Sequence, residues 1–262
     1  MSNRVKRHDN IISSEDRLKI SKRYKRITKA INREFWKLDN DTANSFYVGS
    51  YGRGTAINTS DIDVLVILPN DVFDRFNELM SNGQSRLLQS VKSALENTYP
   101  NSDIRADGQI VKINFNDGIL FEILPAFKNE NGTYIYGDSN KGGKWKSTNP
   151  KAEQVAISDK NKLSNGLLIS TCKHIRYIRD NFFKSYKLSG IVIDSFVFNG
   201  IGNWRFTNSG EGSCEPGTYE KVLLKYFETQ LEGSLKTPGS EEYVDVEPSR
   251  DCLGKVLKHM AG

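Results

Sequence analysis

The chain has 262 residues, of which 37% are hydrophobic and 26% charged, the balance of a globular protein forming one large domain or two packed lobes. No apolar run approaches the ~18 residues of a membrane span, the start Met1-Ser2-Asn3-Arg4 has no apolar signal core, and Cys172, Cys214 and Cys252 form no Cys-x-x-Cys pair. A disulfide scaffold and a cysteine zinc site are thereby excluded, and a cytoplasmic protein with no membrane partner is predicted. The net charge of +5 is uneven: residues 1–40 hold 12 Lys/Arg against 5 Asp/Glu, leaving 25 against 27 for the rest. No aromatic residues interleave on the helix face that carries these cations, so they read as a solvated face rather than a nucleic-acid surface.

Ser13-Ser14-Glu15-Asp16 supplies a hydroxyl cap and first-turn acids for a long helix. Ile20, Tyr24, Ile27, Ile31, Phe35 and Leu38 mark its core stripe, and Asp39-Asn40-Asp41 ends it. Ser45–Val48 reads as a short strand delivering the chain to a turn of small residues, Gly49-Ser50-Tyr51-Gly52-Arg53-Gly54-Thr55. The β-branched run Asp61–Leu68 then reads as a buried strand. Side chains alternate along a strand, so Asp61 and Asp63 share a face about 7 Å apart. Two like charges so placed call for a positive partner. An all-oxygen ligand set suits Mg²⁺ or Mn²⁺, and the backbone N–H groups and hydroxyl of the preceding turn suit a phosphate.

Helices are expected near Val72–Met80 and over Leu87–Leu95, separated by Ser81-Asn82-Gly83. Gln109–Phe115 and Ile119–Leu124 flank Asn116-Asp117-Gly118, a strong hairpin signal. Glu122 lies among leucines in the second of these strands, where an uncompensated charge is costly. Either a Lys or Arg pairs with it, or it completes a metal-binding trio with Asp61 and Asp63. Phe127–Pro150 reads mainly as loop; within it Asn140–Trp145 lacks the spacing of a Walker phosphate loop and reads as a mobile loop near the active cleft.

The back half reads as helical. A helix over Gly166–Phe183 carries Lys173, Arg176 and Arg179 at three-residue steps, and helices follow at Leu188–Asn199 and Thr218–Leu231. Thr237–Tyr243 reads as a polar linker and the tail from Ser249 as one short helix. His8, His174 and His259 show no ligand spacing.

Gly49-Ser50, Asp61-x-Asp63 and Phe121-Glu122-Ile123-Leu124-Pro125-Ala126-Phe127 together resemble the DNA polymerase β-like nucleotidyltransferase superfamily. Trp145-x-x-Thr148-Asn149-Pro150, a helix bearing Lys173, and Ser195-Phe196 in the next element bring the resemblance to the bacterial cGAS/DncV-like nucleotidyltransferases (CD-NTases), over roughly residues 10–205. The resemblance implies an α+β fold. Residues 1–150 would form a polymerase β-like core, a twisted mixed sheet with flanking helices and a long N-terminal helix; residues 151–262 would form a helical C-terminal lobe, with the active site in the cleft between. It implies a metal-dependent synthase joining nucleoside triphosphates into a cyclic di- or trinucleotide messenger, in bacterial anti-phage (CBASS-type) signalling. Asp61, Asp63 and Glu122 would be the catalytic residues and ligands of two Mg²⁺ or Mn²⁺ ions, and Gly49, Ser50, Lys173 and Ser195 would bind nucleotide. Transfer to an RNA end or an antibiotic, or nucleotide sensing by a pseudoenzyme, are the alternatives. The resemblance leaves room for a regulatory protein partner. It implies no nucleic-acid activator, because the animal sensor's zinc-binding insertion is absent. Two departures stand out: glutamate where much of the superfamily has aspartate, and a segment Asp245–Asp251 that matches the family's C-terminal pattern only loosely.

Overall fold

The computed structural model describes residues 4–58, 60–79, 81–240 and 242–262. The chain divides into two compact units. A sheet unit comprises Ile12–Gly52 and Asp61–Asn149; a helical unit comprises Arg53–Ser60 and Pro150–Gly262 together with the residues up to Ile11. The sheet unit ends at Asn149, and the longest stretch of the helical unit begins at Pro150. The N-terminal residues to Ile11 and the segment after Gly52 group with the helices instead of with the sheet.

In the sheet unit, α1 (Ser14–Ile31) is capped by Ser13, whose Oγ accepts from the Asp16 N–H. It passes into a π-helical turn, Asn32–Trp36, and ends at Lys37 with φ of 54°. The stripe stops short of Leu38, which is exposed. Much of the helix's charge is spent within the unit: Arg23 makes a two-pronged contact with Asp117, and Lys29 and Arg33 both reach Asp39. β1 (Ser45–Tyr47) leads into α2 (Gly49–Gly52), a single helical turn, and β2 (Ile62–Ile67) follows. α3 (Asn70–Asn77) and α4 (Gly83–Glu96) come next; the expected end of α3 at Met80 falls outside the described residues. β3 (Asp103–Asp107), β4 (Ile110–Asn114) and β5 (Leu120–Lys128) continue the sheet.

Phe127–Pro150 is not mainly loop. It holds β6 (Tyr134–Asp138) and β7 (Lys144–Thr148), with Asn140–Gly142 forming a 3₁₀ turn between them. Tyr134-Ile135-Tyr136 pairs β6 to β5 in a hairpin, and that pairing outweighs the Gly and Asn content around it. The strand order is β1-β2-β5-β4-β3, with β6 on β5 and β7 on β6. Only the β2–β5 pair is parallel among those described. β2 is therefore an interior strand, which is why its run is apolar on both faces. Val64, Val66, Phe121 and Ile123 point into a core with Ile27 and Ile31 of α1 and Leu87, Val91 and Leu95 of α4. Burying each such side chain contributes ~1.5–3 kcal/mol. Leu65 and Ala126 face the other way, toward Val48 and Tyr134.

In the helical unit, α5 (Pro150–Leu163), α6 (Leu167–Phe182), α7 (Gly190–Gly200), α8 (Thr218–Thr229) and α9 (Glu247–Ala261) enclose a second core. The supposed linker at 237–243 is the turn of a hairpin, β8 (Ser234–Lys236) with β9 (Tyr243–Asp245). The C-terminal helix is 15 residues long rather than short, because Leu253, Val256, Leu257 and Met260 are all buried. Among the described residues no helix is long and apolar enough to cross a membrane.

Candidate active site

The parallel register sets the site. Asp63 of β2 is the cross-strand partner of Glu122 of β5, and Glu122 is the partner of Lys112 on β4, which faces Arg105 on β3. One row across four strands thus reads acid, acid, base, base. Neighbouring members stand about 5 Å apart, the spacing of hydrogen-bonded strands. Asp61 is exposed at the entry to β2, two residues before Asp63. Within β2, Ile62, Val64 and Val66 take the core side, which leaves Asp63 on the opposite face.

Glu122 is half-buried, and Lys112 Nζ lies 3.6 Å from its Oε1 while also binding Asp107 at 2.9 Å. A lysine therefore stands near Glu122 on one side, and Asp63 is its cross-strand partner on the other. Burial raises the Glu122 carboxyl above its ordinary range, the charge of Asp61 raises it further, and Lys112 opposes the shift without cancelling it. A carboxyl so raised holds its proton more tightly folded than unfolded. Its contribution to stability is full at low pH and declines as pH climbs from the ordinary carboxylate range to the raised value. Glu122→Gln is accordingly expected to stabilise the protein near pH 7 by about 0.5–1 kcal/mol, read by urea unfolding in EDTA. A loss of stability would mean that the Lys112 contact outweighs the desolvation.

The glycine turn is locked against this row. The Val48 N–H donates to the Asp63 carbonyl (2.9 Å), and the Gly52 N–H donates back to the Val48 carbonyl (2.8 Å). Gly49 has φ of 57°, and a Cβ built on it would overlap the Asp63 carboxylate. Glycine is required here twice over, for the backbone angle and for the approach. Gly49→Ala is expected to push the Asp63 carboxylate aside and lower turnover about 100-fold, with the fold kept, as judged by steady-state rates and circular dichroism. Near-normal turnover would show that the contact is not needed.

Three carboxylates with no thiolate or imidazole are a hard-cation donor set, and burial followed by the Asp61 charge raises the Glu122 carboxyl. The residues fit divalent ions in this chemical sense. Among the described residues, however, no three acidic, histidine or cysteine side chains stand close enough to form a ready-made ion cage.

Gly49, Ser50, Asp61, Asp63 and Glu122 all belong to the sheet unit, whereas Lys173 on α6 and Ser195 on α7 belong to the helical unit. Lys173 is partly exposed. Ser195 is fully buried and its Oγ has no hydrogen-bond partner, which puts the hydroxyl inside the helical core instead of on an open surface. Arg176 is neither a phosphate funnel nor a solvated cation: it is 2% exposed and bound to Asp194 of α7 at 2.7 Å. The continuation of the glycine turn meets the same carboxylate. Arg53 Nε and Thr55 Oγ1 both donate to Asp194 Oδ2 at 2.9 Å, and Arg53 Nη1 reaches Glu153 Oε2 at 2.7 Å. Only Asp194, next to Ser195 in the run Ile191–Phe198 that is apolar at all remaining positions, could have signalled this cluster from sequence. Trp145 packs against Phe73 and Phe127, with its indole N–H on Asn77. His8 and His174, distant in sequence, lie ring nitrogen to ring nitrogen at 3.0 Å, a pairing that spacing along the chain cannot reveal.

The profile of the Second Messenger Oligonucleotide or Dinucleotide Synthetase domain matches residues 6–161, more than half of the chain. A probable cyclic nucleotide synthase of Bacillus cereus (strain VD146) is 25% identical over 230 residues, covering 78% of this chain and 69% of that protein. The fold is shared with the c-UMP-AMP synthase CdnE of Rhodothermus marinus, solved with Apcpp and Upnpp (TM-score 0.60, 17% identity, 91% of this chain and 89% of that one). It is shared also with DncV, the cyclic AMP-GMP synthase of Vibrio cholerae (TM-score 0.60, 15% identity, 82% of this chain and 61% of that one). With its mixed sheet, its glycine turn and its row of acids, the chain belongs to the Second Messenger Oligonucleotide or Dinucleotide Synthetase family, among the bacterial cGAS/DncV-like nucleotidyltransferases.

Proposed function

We propose that the protein joins nucleoside triphosphates into a cyclic di- or trinucleotide second messenger and releases pyrophosphate. The observation that carries this reading is the register of Asp63 with Glu122 beside a glycine turn closed directly on Asp63. Membership of a family named for messenger synthesis supports it. In the proposed reaction the triphosphate lies along Gly49 and Ser50, whose first-turn N–H groups suit phosphate oxygens. Asp61, Asp63 and Glu122 would hold the Mg²⁺ or Mn²⁺ ions, which when bound supply charge neutralisation and a more acidic ribose hydroxyl. Glu122 is proposed to take the proton from the attacking hydroxyl. Lys173 is proposed as a phosphate contact from α6; the buried Ser195 hydroxyl would serve only after the helix has moved. The setting proposed is bacterial anti-phage (CBASS-type) signalling, in which the messenger switches on an effector.

The test is incubation with all four nucleoside triphosphates and Mg²⁺, without any acceptor, followed by phosphatase treatment and mass spectrometry. A phosphatase-resistant cyclic product is expected. Product that forms only when RNA or an aminoglycoside-type acceptor is added would overturn the reading.

A further inference from the structure

A cavity of about 460 Å³ opens in the sheet unit beside the acid row, in the size range of small-molecule sites. Asp63, Glu122 and Asp107 line it, and Lys112 Nζ reaches the last two. Walls of carboxylates and amides accept hydrogen bonds, which suits the amino group of a nucleobase. Two side-chain amides complete it, Gln109 from the β3–β4 turn and Asn140 from the β6–β7 turn. Both are held by one carboxylate. Asp138 is 4% exposed and ion-paired with Lys146; its Oδ2 accepts from Gln109 Nε2 at 3.2 Å and its Oδ1 from Asn140 Nδ2 at 2.9 Å. An ionised carboxylate is acceptor-only, so it fixes the flip of each amide: the NH₂ ends face Asp138 and the carbonyl oxygens face away. The two turns are also clamped to each other, since the Ser139 N–H and Oγ–H both donate to the Gly108 carbonyl.

We propose that this cavity is a base-selecting subsite, in which Gln109 and Asn140, oriented by Asp138, present carbonyl acceptors to a nucleobase that carries an exocyclic amino group. The inference rests on the nucleotide-joining reading above and deepens it. Adenine, cytosine and guanine each offer an amino donor. Uracil offers one ring N–H set between two carbonyl oxygens, which would face the amide oxygens and be repelled. Gln109 and Asn140 are specificity residues here and Asp138 is a positioning residue.

Nucleosides test this without the phosphates that would draw them to the glycine turn. In ligand-observed NMR titrations of the full chain, adenosine, cytidine and guanosine are expected to bind at least about fivefold more tightly than uridine. Gln109→Leu is expected to bring the four within about twofold. Asp138→Asn, which frees the amides to flip, is expected to improve uridine relative to adenosine. Equal binding of uridine and adenosine by the parent protein overturns the inference, as does a preference unchanged in Gln109→Leu. The two readings fail separately. A cyclic product from the four triphosphates with no nucleoside preference sinks the subsite alone, and a preference with no cyclic product sinks the synthase reading alone.

Discussion

Asp63→Asn is expected to lower nucleotidyl transfer about 1,000-fold or more while leaving the fold intact. The residue is in contact with everything that matters at the site: it faces Glu122 across the parallel pair, it lies against Gly49, and its carbonyl receives the Val48 N–H. Asparagine preserves the size and the backbone bond but removes one negative charge where ions and phosphates have to meet. Groups that act on charge developing in a transition state typically contribute factors of 10²–10³ each, and a metal ligand acts on binding and chemistry together. Removing that charge also relieves repulsion with Asp61 and Glu122, so stability should hold or rise slightly. The measurement is the single-turnover rate with saturating triphosphate and Mg²⁺, alongside urea unfolding. A rate within tenfold of the parent would move the chemistry elsewhere. A collapse in stability would mean that Asp63 is structural.

The second large effect concerns stability. Asp194→Asn is expected to cost about 3–5 kcal/mol, the range found when one partner of a buried ion pair is removed. Asp194 is wholly buried and serves Arg53, Thr55 and Arg176 at once, while Glu153 balances the remaining charge. Two guanidiniums and two carboxylates make the cluster neutral as it stands. The asparagine variant leaves it with a surplus positive charge out of reach of water. Burial alone would push the Asp194 carboxyl up, but the guanidiniums of Arg176 and Arg53 more than offset this and hold it below its ordinary value. A depressed carboxyl contributes stability that is complete above the ordinary carboxylate range and is lost as pH falls through the depressed value. The parent should therefore lose stability to acid over a range where the variant, already weakened, changes less. Urea midpoints measured from pH 7 downward check both points. A loss below about 1 kcal/mol at pH 7 would show that the cluster relaxes or is hydrated.

Much of the fold was legible because its signals are local. The β-branched apolar run through Ile62–Ile67, the Asp-Gly turn at 117–118 and the stripe on α1 each depend on neighbours in the chain. The carboxylate row was legible for a different reason. Charged residues in apolar strands are anomalous wherever those strands pair, and three such anomalies invite a common cause. What stayed hidden depends on which strands pair and on partners far away. β6 and β7 look like loop until each closes a hairpin, β6 on β5 and β7 on β6. Arg176 looks like a member of a basic face until Asp194 takes it inside. Lys112, which tempers Glu122, is an ordinary lysine in a strand until the β4–β5 register brings it opposite.

The way the chain is shared between the units has a consequence for biosynthesis. Every residue of the sheet unit has been made once the ribosome reaches Asn149, so that unit can fold while the rest of the protein is still emerging. The helical unit cannot close so early, because Arg53 and Thr55 must wait for an aspartate 139 or more residues later. During that interval the glycine turn is already seated on Asp63, while the Asp194 carboxylate that Arg53 and Thr55 share has yet to be made. Translation arrested between residues 150 and 194 would thus leave a folded sheet unit and a helical unit still lacking its central carboxylate.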